Sequence, residues 1–213
     1  MDMLNYNHKK LLNPDRGVQD GLIFIPDISG FTELVHSTDV LTGKQITYEL
    51  LSALISQNDL QLNISEVEGD AVLFYRFGPP HSLCELAKQY NSMVRAFDKK
   101  KKELEELYSL PLNLSLKVIV HYGPMTEYTI GPFKKLYGEV VVEAHRLLKN
   151  SIEADSYLLL TDALQELTGT ISEDELLRYG IRSNKLCEVY GSLKVVCFTY
   201  WYSSKEKILE EVA

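Results

Sequence analysis

Two aspartates in this chain stand where a hydrophobic run gives way to a turn, a setting in which carboxylates can bind a cation. Asp27 follows the run that begins at Leu22, and Asp70 follows Gly69 in a turn between two further runs. If these runs form neighbouring strands, the two carboxylates meet in space. Carboxylate oxygens suit a hard cation such as Mg²⁺, and a phosphate-bearing substrate would complete its coordination. The residues therefore predict a site for a metal and a phosphate.

The segments around these aspartates alternate between strand-like and helix-like spacing. Strands are predicted over residues 22–25, 60–66, 71–77, 112–122, 157–161 and within 186–202, and a further strand or a hairpin over 125–137. Helices are predicted over 31–57 with a break near Thr42-Gly43, 82–107, 138–150 and 162–168. The order β-α-β-β-α-β, followed by further αβ elements, is that of a ferredoxin-like fold of the α+β class. We expect one domain over residues 21–202, a tail or lead-in helix over 1–20, and a tail over 203–213.

Composition restricts the classes of partner. The net charge of −8 argues against binding to nucleic acid or to an anionic membrane surface, since both require basic surfaces. No apolar run approaches the ~20 residues that cross a bilayer. Cys84, Cys187 and Cys197 share no metal-binding spacing, and we predict three reduced, partly buried thiols in a cytoplasmic protein.

Four sequence blocks, in the same order as in the family, resemble the catalytic domain of class III nucleotidyl cyclases. The resemblance is to a divergent bacterial branch of that family. Residues 24–32 (FIPDISGFT) resemble the family pattern F-x-D-I-x-G-F-T, and residues 68–71 (EGDA) contain its G-D-A. Residues 137–147 (YGEVVVEAHRL) resemble G-x-x-V-N-x-A-x-R-L, and residues 121–124 (HYGP) match H-x-G-P. The resemblance covers roughly residues 20–202 and implies the cyclase fold.

The resemblance also implies roles for these residues in cyclising a nucleoside triphosphate with release of pyrophosphate. Asp27, Asp70 and the carbonyl of Ile28 would hold two Mg²⁺ or Mn²⁺ ions, and Arg146 would stabilise the transition state. In the family this arginine faces the metals of the other subunit, which implies a homodimer with its sites at the interface. The peptide N–H groups that would cradle the terminal phosphates are those of Ser29, Gly30, Phe31 and Thr32.

Two positions bear on the choice of base. Glu66 stands four residues before the second metal aspartate, where adenylyl cyclases carry lysine and guanylyl cyclases glutamate. Lys135, or Lys134 if the placement slips by one, stands where an adenine reader carries aspartate. A carboxylate accepts from an imino N–H and an ammonium donates to a carbonyl, so the pair favours GTP or UTP over ATP.

Other positions depart from the family pattern. Val142 replaces the asparagine that orients the ribose; Glu143 and His145 are polar neighbours, but the pattern assigns the role to neither. Pro26 lacks a backbone donor and predicts a bulge or a local gap in the first strand. The family's phosphate-binding lysine has no clear counterpart, and Lys194 is the nearest candidate.

Each site residue also has a purely structural interpretation. Asp27 could cap a helix, Asp70 could belong only to its turn, and Arg146 could be a solvated helix arginine. Glu66 and Lys135 could simply pair with each other. Three functions remain open at this point: an active cyclase, a catalytically inactive homologue that binds a nucleotide or a partner, and an unrelated ferredoxin-like binding module.

Overall fold

The computed structural model describes residues 17–178, 180–190 and 194–203 of the 213-residue chain. Its strands are β1 (Gln19–Ser29), β2 (Asn63–Glu68), β3 (Ala71–Phe77), β4 (Ser115–Ile130), β5 (Phe133–Tyr137), β6 (Tyr157–Thr161), β7 (Ile181–Tyr190) and β8 (Lys194–Ser203). Its helices are α1 (Phe31–Ser37), α2 (Val40–Ser56), α3 (Leu83–Tyr108), α4 (Glu139–Leu147), α5 (Asp162–Thr168) and α6 (Glu173–Arg178). The tail predictions for residues 1–16 and 204–213 lie outside the described residues.

The strands form one sheet in the order β2-β3-β1-β4-β6-β8-β7, and β5 pairs with β4 beside this path. β1 runs antiparallel to both of its neighbours, β3 and β4, whereas β4 and β6 are parallel. The first four strands, with the helices between them, have the ferredoxin-like topology, and the later strands extend the same sheet. The predicted α+β fold with a C-terminal αβ extension is therefore confirmed.

The strand alternation sorts side chains onto two faces of the sheet. On one face, Phe24, Phe74 and Val118 pack beneath α2 and α3 in the larger hydrophobic cluster. On the other face a smaller cluster packs beneath α4, and its members from the sheet and from α4 include Ile23, Ile25, Leu73, Ile119, Val140, Ala144 and Leu147. Because α4 has only nine residues, it covers part of this second face and leaves an open cleft beside it.

The helical region after β1 breaks earlier than predicted. α1 ends at Ser37, and Asp39 caps α2 by accepting hydrogen bonds from the N–H groups of Leu41 and Thr42, at 3.0 and 3.1 Å. The predicted division into two helices is confirmed, but the break lies between Ser37 and Val40 and not near Thr42-Gly43. A glycine inside a helix is tolerated when a strong N-cap fixes the helix start upstream.

Pro26 causes a local gap in the pairing of β1, as predicted. The β1–β3 pairing omits Ile25 and Pro26 and resumes at Asp27 opposite Ala71, with its register unchanged. On the other side β1 pairs with β4 without interruption. Proline is accommodated because the donor it lacks is not needed at this point of the ladder. Asp27 therefore keeps its register immediately after the gap.

β4 is longer than the predicted strand, because it continues through Gly123 and Pro124 to Ile130 and then folds back into β5. Gly123 packs against α4, where a Cβ would lie 3.4 Å from the side chain of Val140, an ordinary van der Waals distance. The predictions for β3, β6 and α5 are confirmed, whereas the short helix α6 was not predicted.

The prediction of three reduced thiols was wrong. Cys187 in β7 lies opposite Cys197 in β8, and the two form a disulfide. Cys84 is a free cysteine at the exposed surface of α3. The spacing of 10 residues gives no sign of the pairing until the register of the β7–β8 hairpin is known. The predicted cytoplasmic location, which depended in part on reduced cysteines, stays a prediction.

None of the helices within the described ranges is long and apolar enough to cross a membrane.

Candidate functional site

The end of β1 and the β2–β3 turn bring the two predicted metal aspartates together. Asp27 lies opposite Ala71, the residue after Asp70, and the N–H of Ile28 donates to the carbonyl of Asp70 at 3.0 Å. Asp27 is nearly buried, with 9% of its surface exposed. The first residue of α1 follows Gly30, so Gly30 and not Asp27 occupies the N-cap, and the interpretation of Asp27 as a helix cap was wrong.

Both carboxylates open into the cleft beside α4, which has a volume of about 690 Å³. Its floor comes from β1, β3 and β4, and its wall from the end of α4. The lining residues are Ile25, Asp27, Glu68, Asp70, Ala71, Leu73, Lys117, Val142, His145, Arg146, Leu148 and Lys149. The fold thus places Asp27, Asp70 and Arg146, which lie far apart in the sequence, around one cavity.

The charges on the floor of the cleft are not balanced. Burial raises the pKa of Asp70 above its usual value, and the neighbouring Asp27 carboxylate raises it further. Lys117 Nζ lies 3.0 Å from Asp27 Oδ2 and lowers the pKa of Asp70 to a smaller extent. Two carboxylates therefore share one ammonium, an arrangement that favours a further positive charge.

The turn after β1 requires a glycine. Gly30 has φ +88°, and a Cβ there would lie 2.2 Å from the carbonyl oxygen of Asn113. The carbonyl of Gly30 accepts from the N–H of Leu34 at 3.1 Å, which begins α1. The resulting loop contains the predicted phosphate-binding residues Ser29, Gly30, Phe31 and Thr32. That assignment stays a prediction.

α4 presents different residues to the cleft and to the sheet. Val142, which is 50% exposed, lines the cleft together with His145 and Arg146. Glu143 is buried, and its Oε2 lies 2.8 Å from Nε2 of the buried His121. Of the two polar neighbours of Val142, only His145 therefore faces the cleft.

His121 links α4 to the centre of the sheet. Its Nδ1 lies 2.8 Å from Thr161 Oγ1, and its Nε2 lies 2.8 Å from Glu143 Oε2. All three residues are buried, and buried polar groups are stable only when they are hydrogen-bonded. We expect this network to hold α4, and with it Arg146, at a set position above β4.

The two predicted base-reading residues contact each other. Lys135 in β5 forms an ion pair with Glu66 in β2, whereas Lys134 lies 3.9 Å from Glu127. A one-residue bulge between Ile64 and Glu66 shifts the β2–β3 register. Glu66 therefore lies opposite Leu73, which is one of the residues that line the cleft. The predicted ion pair is present, and the reading of a base stays a prediction.

Lys117 is the cleft residue that the sequence analysis missed. It lies directly opposite Asp27 in the antiparallel β1–β4 pair, so both side chains extend from the same face of the sheet. A polar residue alternating with Leu116 and Val118 was the available signal, but only the register identifies its partner. Lys194 begins β8, and its side chain lies outside the described part of the structure.

Solved structures share this fold. The guanylyl cyclase Cya2 superposes with a TM-score of 0.66 at 15% identity, over 90% of this chain and 96% of its own. The adenylyl cyclase CyaB from P. aeruginosa gives 0.62 at 17% identity, over 89% and 96%. The guanylate cyclase domain of RhGC from Catenaria anguillulae, in complex with GTP, gives 0.56 at 17% identity, over 89% and 100%. At these identities the likeness is one of fold.

Sequence comparison supplies the family. An uncharacterized protein of Mycobacterium tuberculosis, Rv2561/Rv2562, is 26% identical over 114 residues, which are 49% of this chain. The matched region spans 52% of that relative, about half of its length. A family model described as a protein of unknown function, DUF2652, matches residues 47–157, more than half of the 213 residues. The chain therefore belongs to the DUF2652 family, and it has the fold of adenylyl and guanylyl cyclase catalytic domains.

Proposed function

We propose that this protein is a nucleotidyl cyclase-like enzyme that converts a nucleoside triphosphate into a cyclic monophosphate and pyrophosphate. The observation that carries the proposal is the meeting of Asp27 and Asp70 at the floor of a cleft that Arg146 also lines. The fold itself admits many functions, so the argument depends on this set of side chains.

The donor set fits a hard divalent cation. Asp27 and Asp70 supply carboxylate oxygens, and the family resemblance implies the carbonyl of Ile28 as a further ligand. Among the described residues no group of three or more His, Cys, Asp or Glu side chains could hold a metal ion. The two carboxylates themselves suit Mg²⁺ or Mn²⁺, because such ions often bind to one or two carboxylates and take their remaining ligands from substrate phosphates and water. We propose two such ions per site, as the family resemblance implies.

The protein's own groups would act in three ways. Asp27 and Asp70 hold the cations, whose chemistry is to acidify the ribose 3′-hydroxyl and to neutralise charge on the phosphates. Arg146 donates hydrogen bonds to the α-phosphate, where negative charge develops as the pyrophosphate leaves. Glu66 and Lys135 contact the base once their mutual ion pair opens, and their donor and acceptor pattern favours GTP or UTP over ATP.

We further propose that the active form is a homodimer. In the single chain Arg146 lines the cleft of its own Asp27 and Asp70, whereas the family resemblance implies that Arg146 of one subunit faces the aspartates of the other. We propose the second arrangement for the active form. The β4–β5 hairpin supports this, since Ile130, Phe133 and Tyr137 are each more than 60% exposed. Exposed apolar side chains grouped on one hairpin are typical of an interaction surface. If Arg146 acts across the dimer, mixing Asp27→Ala with Arg146→Ala should restore activity that each variant lacks alone, because one of the mixed sites is then intact. Activity that is not restored would show that Arg146 acts on the aspartates of its own subunit.

The first test is incubation of the purified chain with Mn²⁺ and, separately, ATP, GTP, CTP and UTP, with the products separated by mass. We expect a cyclic monophosphate and pyrophosphate from GTP or UTP, and neither from Asp70→Ala. Absence of product from all four nucleotides, with the protein folded and dimeric, would overturn the proposed activity.

A second candidate function is supported by Val142. This residue has no polar side-chain group to orient a ribose, and it lines the cleft at the place where the family carries asparagine. The corresponding protein is an inactive homologue that binds a nucleotide as a sensor or scaffold. The variant Val142→Asn separates the two: turnover that rises by about tenfold indicates an enzyme limited by ribose orientation. Nucleotide binding without turnover in either form indicates the sensor.

A further inference from the structure

Lys117 lies at the centre of the candidate cation site. Its Nζ is 3.0 Å from Asp27 Oδ2, and the two side chains are 18% and 12% exposed. Directly opposed residues on antiparallel strands are held at a nearly constant separation by the backbone. The ammonium is therefore fixed beside the carboxylate by the register of β1 and β4 and does not depend on a flexible surface contact.

The ammonium of Lys117 has a second hydrogen-bond partner besides Asp27. Lys117 Nζ donates to the carbonyl of Leu148 at 3.0 Å, and Leu148 is the C-cap residue of α4. The carbonyl end of a helix carries partial negative charge and favours a cation. Lys117 thus connects the Asp27 carboxylate to the end of the helix that carries Arg146.

Lys117 is the one basic side chain of the described chain in ion-pair contact with either aspartate. His145, Arg146 and Lys149 also line the cleft, but within the described residues none of them forms an ion pair with Asp27 or Asp70. A divalent cation bound to Asp27 would lie close to the ammonium and would be repelled by it. The lysine and the cation therefore compete for the same oxygen.

We propose, on the basis of the cation site assigned above, that Lys117 is the resident counter-ion of Asp27 and that a divalent cation binds by displacing it. The displaced ammonium keeps its bond to Leu148, so its charge stays in the cleft, where the phosphates of a nucleotide would meet it. The cation alone consequently binds weakly, and a cation that arrives with its nucleotide binds better. Lys117 makes the site selective for the metal–nucleotide complex.

The test is a titration of the full chain with Mn²⁺ alone, followed by the loss of the free-ion signal in electron paramagnetic resonance. Lys117→Met keeps much of the side-chain volume and removes the charge, and we expect Mn²⁺ to bind about tenfold more tightly or better. Lys101→Met is the matched control, because Lys101 also donates to a backbone carbonyl, that of Leu114 at 3.0 Å, but lies outside the cleft. It should bind Mn²⁺ as the unaltered chain does.

A thermal melt of each variant shows whether it is folded, so that a loss of structure is not mistaken for a loss of Mn²⁺ binding. Without its counter-ion Asp27 is a nearly buried, unpaired carboxylate, so Lys117→Met should melt at a lower temperature and regain stability when Mn²⁺ is added. Lys117→Arg keeps the charge and should bind Mn²⁺ no more tightly than the unaltered chain. The variant pair thus isolates charge from side-chain packing.

The outcomes separate this inference from the function it depends on. Equal Mn²⁺ affinity in Lys117→Met and the unaltered chain, with binding lost in Asp27→Ala, overturns the role of Lys117 and leaves the cation site in place. Absence of Mn²⁺ binding in both the unaltered chain and Lys117→Met overturns the cation site, and the proposed activity and the role of Lys117 with it.

Discussion

The fold assembles two clusters of charged side chains, and they differ in charge balance. At the end of β1, Asp27 and Asp70 share the single ammonium of Lys117. Between β2 and β5, Glu66 and Lys135 form a balanced pair. The first cluster has negative charge left over and gains from a cation, whereas the second has its charges matched. Ligand binding at the second cluster must therefore first open an ion pair.

The comparison teaches that residue types alone do not define a binding site. Both clusters contain acidic residues that match positions of the cyclase pattern. The register of β1 with β4 places the ammonium of Lys117 beside Asp27, near Asp70. The register of β2 with β3 positions Glu66, which has the ammonium of Lys135 to itself. We expect the two clusters to respond differently to substitution, to metal and to pH.

The largest expected effect is at Asp27. Asp27→Ala removes one of the two carboxylates and leaves Lys117 without its partner, so we expect divalent-metal-dependent nucleotide binding to be lost. Isothermal titration of GTP in the presence and absence of Mn²⁺ measures this. Asp59→Ala is a control, since Asp59 is exposed and outside the cleft. Unchanged metal-dependent binding in Asp27→Ala would contradict the site assignment.

Substitution of Arg146, a cationic residue that lines the cleft beside the two aspartates, tests its proposed role in the transition state. If the chain is an active cyclase, Arg146→Ala should lower kcat by roughly 10²–10³-fold with a smaller change in KM, because the proposed contact forms in the transition state. Arg146→Lys keeps the charge but loses the two-pronged geometry and should recover only part of kcat. A change confined to KM would instead indicate a ground-state contact with the phosphates.

The balanced pair is tested by Glu66→Gln together with Lys135→Gln, singly and combined. If the pair reads the base, the preference among nucleotides should change by about tenfold in each single variant. A double-mutant cycle on the binding constants measures the coupling between the two residues. Base preference that is the same in all four proteins would leave the pair only the role of joining β5 to β2.

The smallest expected effect concerns stability and pH at Asp70. Its pKa is raised by burial and by Asp27, so the protonated form is favoured on folding. The stability that this protonation contributes is present below the usual aspartate pKa and is lost as pH rises through the raised pKa. Asp70→Asn should therefore melt at a higher temperature than the unaltered chain at pH 7 and show little gain at pH 3.

Added Mn²⁺ provides the control for this prediction. At a concentration high enough to overcome the weak binding of the free ion, Mn²⁺ should raise the melting temperature of the unaltered chain at pH 7 and leave Asp70→Asn almost unaffected. A lower melting temperature for Asp70→Asn at pH 7 would mean that its carboxylate stabilises the β2–β3 turn, and that repulsion from Asp27 is the weaker effect.

The sequence predicted most elements because their hydrophobic patterns were strong. β3 and β6 were predicted with their observed bounds, and the buried stripe of α3 follows the 3.6-residue period. Predictions failed where a local hydrogen bond decided the boundary. Asp39 set the start of α2 through its side chain, and β4 continues past Gly123 because its second half forms hydrogen-bonded pairs with β5.

The disulfide and the lysine show a second kind of limit. Cys187 and Cys197 pair because the β7–β8 register places them face to face, and Lys117 pairs with Asp27 because the β1–β4 register does the same. Register arises from contacts among whole strands, and a shift of one residue would move every side chain to the other face. A single sequence carries little local information about it.

The order of the elements, and the positions of Asp27, Asp70 and Arg146 in motif blocks, could be predicted from the amino-acid sequence. These follow from local patterns: hydrophobic periodicity, turn residues and short spacings. Only the tertiary structure decided that Lys117 neutralises Asp27, that Glu143 turns to His121 and away from the cleft, and that Glu66 and Lys135 are paired. The physical reason is that charge balance depends on distances between strands and helices that are far apart in the chain, and these distances exist only once the sheet has formed.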